Sequence, residues 1–187
     1  MIRYASPVLA AALALATTGA HAADYLQAPG STLGFAGSYQ GEAFNGTFPG
    51  FNTRISFDPA KPATGRLDVT IPLATATTRN PDYDGELRGG AFFDSRKYPQ
   101  ARYTASKFRA LGGNRFAADG VLSLRGVSKP VTLSFTWTPG AKPVLNGTAT
   151  VKRLEFGVGG GEWADTGLIP NDIKVSTKVV LQPKPKP

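Results

Sequence analysis

Val131-Thr132-Leu133-Ser134-Phe135-Thr136-Trp137-Thr138 sets large apolar side chains against hydroxyls at every second position. Successive side chains of a strand point to opposite faces, so this stretch is a strand with one dry face and one wet face. The same rhythm extends outward from it. Leu67, Val69, Ile71 and Leu73 alternate with Arg66, Asp68, Thr70 and Pro72, and Ile55 and Phe57 follow Phe51 and Thr53. Leu33 and Phe35 repeat the pattern near the start, Val175 and Val179 near the end. Turn-forming residues separate the runs: Asp58-Pro59 through Gly65, Gly112-Gly113-Asn114, Gly126 to Pro130, Pro139-Gly140 and Asn146-Gly147. Asp119-Gly120 falls inside a strand-like run and reads as a bulge. One segment departs from this rhythm. Asn80-Pro81 reads as an N-cap with proline at the first helical position, acids follow at Asp82, Asp84 and Glu86, and Gly89-Gly90 ends a short helix. After it, Phe92-Phe93-Asp94 and Tyr98-Pro99 form an aromatic stretch suited to covering one end of a sheet or barrel. About eight antiparallel strands with one apolar face imply a sandwich or a closed barrel. The interior of an eight-strand barrel is just wide enough to be filled by side chains or to hold one ligand, and patterning does not choose between these.

Composition narrows the chemistry. The only histidine is His21, the only methionine is Met1, and there is no cysteine. Both residues fall in a segment that reads as a secretory signal: Arg3 as the positive start, Pro7 to Ala16 as a short apolar run, and Ala20-His21-Ala22 as a small-x-small cleavage site, so the mature chain is expected to begin at Ala23. Export to the periplasm follows from that reading. A mature chain without His or Cys offers no Ser-His-Asp or Cys-His nucleophile, no thiol redox chemistry and no zinc, haem or iron–sulfur site of the usual ligands. The inventory favours binding over catalysis, with no cofactor. Without Arg3 the mature chain has 20 basic residues against 13 acidic, a net charge of +7. Those basic residues are scattered along the strands, and no recognition-helix pattern exists, so nucleic acid is not the expected partner. Solvated surface charge or an anionic membrane surface accounts for the excess. Residues 183–187, Pro-Lys-Pro-Lys-Pro, read as a stiff basic tail outside the folded body of 23–182.

Four blocks in order carry a family resemblance: Gly41 to Asp58 (GEAFNGTFPGFNTRISFD), Phe92 to Ala101 (FFDSRKYPQA), Gly120 to Val131 (GVLSLRGVSKPV) and Arg153 to Asp165 (RLEFGVGGGEWAD). Together they resemble the YceI-like family over essentially the whole mature chain, the last block in the branch related to domains fused to b-type cytochromes. The resemblance implies an all-β, lipocalin-like antiparallel barrel. Its elongated apolar cavity would hold a polyisoprenoid, such as a quinone tail or prenyl lipid, or another long amphiphile such as a fatty lipid, carried without turnover. A quinone-using cytochrome is the partner that the fusion domains suggest. Tyr39 stands where many members of the family have a histidine, Glu155 where an Asp is usual and Gly160 where a Gln is frequent. These departures bear on head-group contacts, not on the fold.

Strand parity then selects an inner face. Phe35, Ile55, Phe57, Leu67, Val69, Ile71, Tyr103, Leu122, Leu124, Leu133, Phe135 and Trp137 are the expected lipid-binding residues, with Arg153 as the candidate for a polar or anionic head group. Removing apolar area from water at roughly 25 cal/mol per Å² is the only large source of affinity for such a chain. The glycines of Gly157 to Gly161 precede no helix and no Lys-Ser/Thr pair, so they read as a tight bend or barrel plug near Trp163 and not as a phosphate loop. Glu155, Glu162 and Asp165 are close enough in sequence to raise a carboxylate pair for glycoside hydrolysis, though solvated loop acids are commoner. Asn45-Gly46-Thr47 and Asn146-Gly147-Thr148 match glycosylation acceptors and read more simply as turns. Two other classes stay open at this point: a sandwich module binding carbohydrate or protein, and a small hydrolase. A homodimer is likewise left open.

Overall fold

The computed structural model describes residues 22–185, so the expected signal segment lies outside the described residues apart from Ala22. Ten strand segments run in order: β1 (Ala23–Gln27), β2 (Thr32–Tyr39), β3 (Glu42–Thr47), β4 (Asn52–Phe57), β5 (Arg66–Pro72), β6 (Gln100–Gly112), β7 (Arg115–Leu124), β8 (Val127–Thr138), β9 (Val144–Lys152) and β10 (Asp172–Pro183). All neighbours are antiparallel. β1 and β2 are two halves of one stave, since β10 pairs with β2 through Lys174–Lys178 and with β1 through Leu181–Pro183. β3 and β4 likewise follow one another along the next stave, β3 against β2 and β4 against β1. Counted this way, eight staves close a barrel through the β1–β10 pairing. Closure removes the sandwich alternative. Among the described residues the exposed large apolar side chains are Tyr83, Leu111 and Val121, which make no flat aromatic face.

The helix α1 (Pro81–Arg88) forms as the sequence predicts. The Asn80 side chain accepts the N–H groups of Asp82 and Tyr83, Pro81 opens the first turn, and Gly89 ends the helix. Several local expectations are corrected. Asn45-Gly46 and Asn146-Gly147 are not turns; they lie inside β3 and β9. Each glycine makes room for a cross-strand side chain: Phe35 lies over Gly46, and Leu133 Cδ1 would be 2.9 Å from a Cβ at Gly147. The bulge expected at Asp119-Gly120 is on the partner strand, where Ser106 is the extra residue between Ala105, paired with Gly120, and Lys107, paired with Asp119. The turn expected over Gly126 to Pro130 is confined to Arg125-Gly126, and Pro130 sits within β8. There β8 has no β9 neighbour, because their pairing starts at Ser134, and an unpaired strand side tolerates proline. The tail starts later than expected: Pro183 pairs with Tyr25, and the Lys184 N–H donates to the Asp24 carbonyl at 2.8 Å.

One end of the barrel is solid. Phe57, Phe108, Phe116, Phe135 and Trp137 meet there, with the Phe57 ring centroid 5.0 Å from Trp137, 5.1 Å from Phe116 and 5.5 Å from Phe108. Such edge-on and tilted pairs are each worth roughly 0.5–1.5 kcal/mol beyond the area they bury. Towards the other end the strands carry mainly shorter aliphatic side chains on their inner face, among them Leu67, Val69, Ile71, Leu122, Leu124 and Leu133.

Candidate functional site

That difference in side-chain reach leaves a cavity of about 520 Å³ inside the barrel, within the size range of small-molecule sites. Leu67, Val69 and Ile71 of β5, Leu122 and Leu124 of β7, Val131 and Leu133 of β8, and Ile173 and Val175 of β10 form much of its wall. Two aromatic residues that also line it, Phe35 and Tyr103, lie over glycines of the adjacent strands. Phe35 covers Gly46, and Tyr103 covers Gly120, where a Cβ would sit 2.6 Å from the phenol ring. Tyr103 stretches across β7, its hydroxyl 2.8 Å from the Ala118 carbonyl and 3.0 Å from that of Val131. Burial pushes this phenol up to about 12. Thr53 also lines the cavity; it is 1 % exposed and its hydroxyl has no hydrogen-bond partner.

The mouth is built by three pieces of chain. Tyr39 and Phe44 come from the β2–β3 hairpin, Trp163 from the short 3-10 turn Gly161–Trp163, and Asp82, Tyr83, Glu86 and Leu87 from one face of α1. Phe92 and Phe93 pack beneath, the Phe92 ring 5.4 Å from Trp163 and the Phe93 ring 5.7 Å from Phe48, so the aromatic stretch covers this end. Arg125 ties the β7–β8 turn to that cover by donating to the carbonyls of Gly90 and Phe92. Asp84 anchors α1 from below: its carboxylate accepts from the hydroxyls of Thr77 at 2.7 Å and Thr78 at 2.8 Å, and from the Thr78 N–H. Burial alone would raise its pKa, but these hydrogen bonds and the nearby Arg88 outweigh it and hold the carboxyl below its usual range.

Of the twelve expected wall residues, Phe35, Leu67, Val69, Ile71, Tyr103, Leu122, Leu124 and Leu133 do line the cavity. Ile55, Phe57, Phe135 and Trp137 do not; all four are buried, and the three aromatic rings pack into the solid end. Strand parity places a residue on the inner face but says nothing of its height along the barrel. Arg153 also departs from expectation. It is 3 % exposed, and its guanidinium donates to the carbonyls of Pro170, Val158, Gly159, Trp163 and Ile169. Five donors meet five acceptors, so none is left for a head group. Burial lowers its pKa from the ordinary guanidinium value. Gly159, at φ +65°, lies where any Cβ would strike that guanidinium, so the glycine run forms the expected bend. Glu155, Glu162 and Asp165 are exposed and outside the cavity wall, and Asp165 accepts the Gly167 N–H. No group of three or more His, Cys, Asp or Glu among the described residues is placed to hold a metal ion. The α1 residues at the mouth were missed from sequence, because nothing local says which way a short polar helix faces.

Comparison with known proteins agrees with this geometry. The YceI-like domain matches residues 25–181. A UPF0312 protein of Pseudomonas syringae pv. syringae is 30% identical over 172 residues, covering 86% of this chain and 90% of the relative. The crystal structure of Burkholderia cenocepacia BcnA superposes with a TM-score of 0.77 at 30% identity, over 80% of this chain and 95% of that one. A polyisoprenoid binding domain from Saccharophagus degradans, implicated in plant cell wall breakdown, shares the fold with a TM-score of 0.67 at 17% identity, over 88% of this chain and all of that one. From its four ordered sequence blocks to its closed barrel, the chain belongs to the YceI-like domain family.

Proposed function

We propose that this protein binds a polyisoprenoid, such as a quinone tail or prenyl lipid, or a similar long amphiphile in its cavity, and carries or stores it without a chemical step. The observation that carries this reading is the apolar lumen of about 520 Å³, sealed at one end by an aromatic plug and open at the other beside α1. A hydrocarbon chain presents no hydrogen-bonding groups, so it needs the kind of wall that β5, β7, β8 and β10 supply. The shared fold with a polyisoprenoid binding domain supports the same class of cargo. Periplasmic action after removal of residues 1–22 is part of the proposal, as is delivery to a membrane surface or a quinone-using cytochrome. Mass spectrometry of an organic extract of the protein, purified from its native compartment, tests it. A stoichiometric prenyl lipid in the native protein, absent from a folded Leu133→Arg variant, is the expected result. An extract free of lipid, from protein that also takes up no apolar probe, overturns it.

A further inference from the structure

Charge that is scattered along the chain is segregated by the fold. β4 ends at Phe57, β7 opens beside Phe116 and β8 closes beside Trp137, so the β4–β5, β6–β7 and β8–β9 connections all leave from the plugged end of the barrel. The start of β1 and the end of β10 join them there, since Ala23 lies opposite Phe57 and Pro183 opposite Tyr25. These connections and the strand ends beside them carry Lys61, Arg66, Lys107, Arg115, Lys142 and Lys184, all exposed. None of the six is in an ion pair among the described residues, where the pairs are Arg102–Asp68 and Arg109–Asp119. Apart from the paired Asp119, the acids at that end are Asp24 and Asp58. The acids gather round the mouth instead: three on α1, with Glu42, Asp94, Glu155, Glu162, Asp165 and Asp172 near it, where bases such as Arg79, Arg88 and Lys97 offset them.

A second feature marks the plugged end. Leu111 is one of three exposed large apolar side chains among the described residues, and it stands at the β6–β7 hairpin tip, its carbonyl accepting from the Arg115 guanidinium. An apolar side chain at a tip among lysines and arginines suits a surface that rests on lipid head groups and inserts a residue past them. The basic residues are spread over several connections around the plug and do not line one groove, so they fit a flat, fluid surface better than a shaped partner. We infer that the plugged end docks on an anionic lipid bilayer, with Leu111 entering the interface and the mouth turned away from that bilayer. On the proposed lipid-binding reading, cargo then leaves towards a partner that faces the mouth, not into the bilayer that holds the protein. The docking itself does not depend on that reading.

Co-sedimentation with vesicles tests this, using protein purified from its native compartment and equal parts phosphatidylglycerol and phosphatidylcholine, against phosphatidylcholine alone. Binding to the anionic vesicles is expected, and salt should weaken it by screening. A basic residue close to an anionic surface is worth about fivefold in binding, so Lys61→Gln/Lys107→Gln/Lys142→Gln should weaken it about a hundredfold. Arg96→Gln/Lys152→Gln/Lys174→Gln removes the same charge from the mouth end and should weaken it less than about threefold. Leu111→Ser should cost about tenfold. All seven side chains are exposed, so none of these variants opens the core. The chain has no cysteine, so Leu111→Cys and Tyr83→Cys each carry a single environment-sensitive fluorophore. The label at position 111 should shift to the blue on the vesicles, and the label at position 83 should not. Equal loss from the two triple variants, a blue shift at position 83, or no binding to anionic vesicles overturns the inference. Binding of the same lysines to polyglutamate but not to vesicles would point to an acidic protein and overturns it too.

Discussion

Phe35 lies flat over Gly46, the residue directly opposite it across the β2–β3 pair. A ring of that size pointing into an eight-strand lumen would fill much of the section it occupies; laid on a glycine, it becomes wall. Gly46→Val is therefore expected to lift the ring into the cavity. Apolar probe affinity should fall about tenfold, with a stability loss of about 1–3 kcal/mol from overpacking. Probe titration beside thermal melting checks both, and unchanged affinity would mean that the ring has another place to go.

Leu133 and Phe135 are two residues apart on the same face of β8 but occupy different ends of the barrel. Leu133→Arg should abolish probe retention. Phe135→Ala should cost about 3–5 kcal/mol of stability by opening a hole in the aromatic plug, while the cavity wall stays intact. Ser134→Lys, on the outer face, should change neither. Denaturant melts and probe titrations on the three variants separate the outcomes.

Arg153 holds five carbonyls with one guanidinium, and lysine has only three donors to offer. Arg153→Lys is expected to destabilise the fold by about 3 kcal/mol, since each buried acceptor left without a partner costs about 1–3 kcal/mol. A variant as stable as the parent but selectively weak for anionic amphiphiles would return this residue to a head-group role.

Asp84 makes α1 sensitive to acid. Its folded pKa is depressed, so the hydrogen bonds to Thr77 and Thr78 add stability above the unfolded aspartate value near ~3.9, and that contribution is lost as pH falls through the folded value. Probe retention should weaken at the acid end of that window as the helix loosens over the mouth. In Asp84→Asn, which removes the titrating group, this acid-dependent loss should be absent, and a pH titration of probe fluorescence for both proteins decides it.

Tyr103 titrates at the other extreme. Raised to about 12, its phenol stays neutral in the fold; stability is complete below the unfolded value near ~10 and declines as pH rises through the folded one. Absorbance at alkaline pH should show a tyrosine ionising near the raised value, and Tyr103→Phe should remove that step.

Strands, helix and family were legible because each depends on near neighbours in the chain. The alternation of Val131 to Thr138 follows from the geometry of one strand, and Asn80-Pro81 caps a helix wherever that helix lies. The four ordered blocks are local runs of sequence, and they alone mark the family. The errors share a cause. Gly46 and Gly147 read as turns because, along the chain, nothing distinguishes a glycine that bends from one that yields space to Phe35 or Leu133 on another strand.

An all-β chain with a defined inner face follows from side-chain alternation, a property of each strand separately. What that face encloses depends on how the strands assemble. Phe57 and Val69 have the same inward parity, yet one plugs the barrel and the other lines its lumen. Height along the barrel, the tilt of a ring and the partners of Arg153 arise from eight staves meeting at once. Contacts such as Phe35 with Gly46 and Tyr103 with Gly120 therefore shape the cavity wall, and that of Arg153 with Ile169 holds the glycine bend beside it.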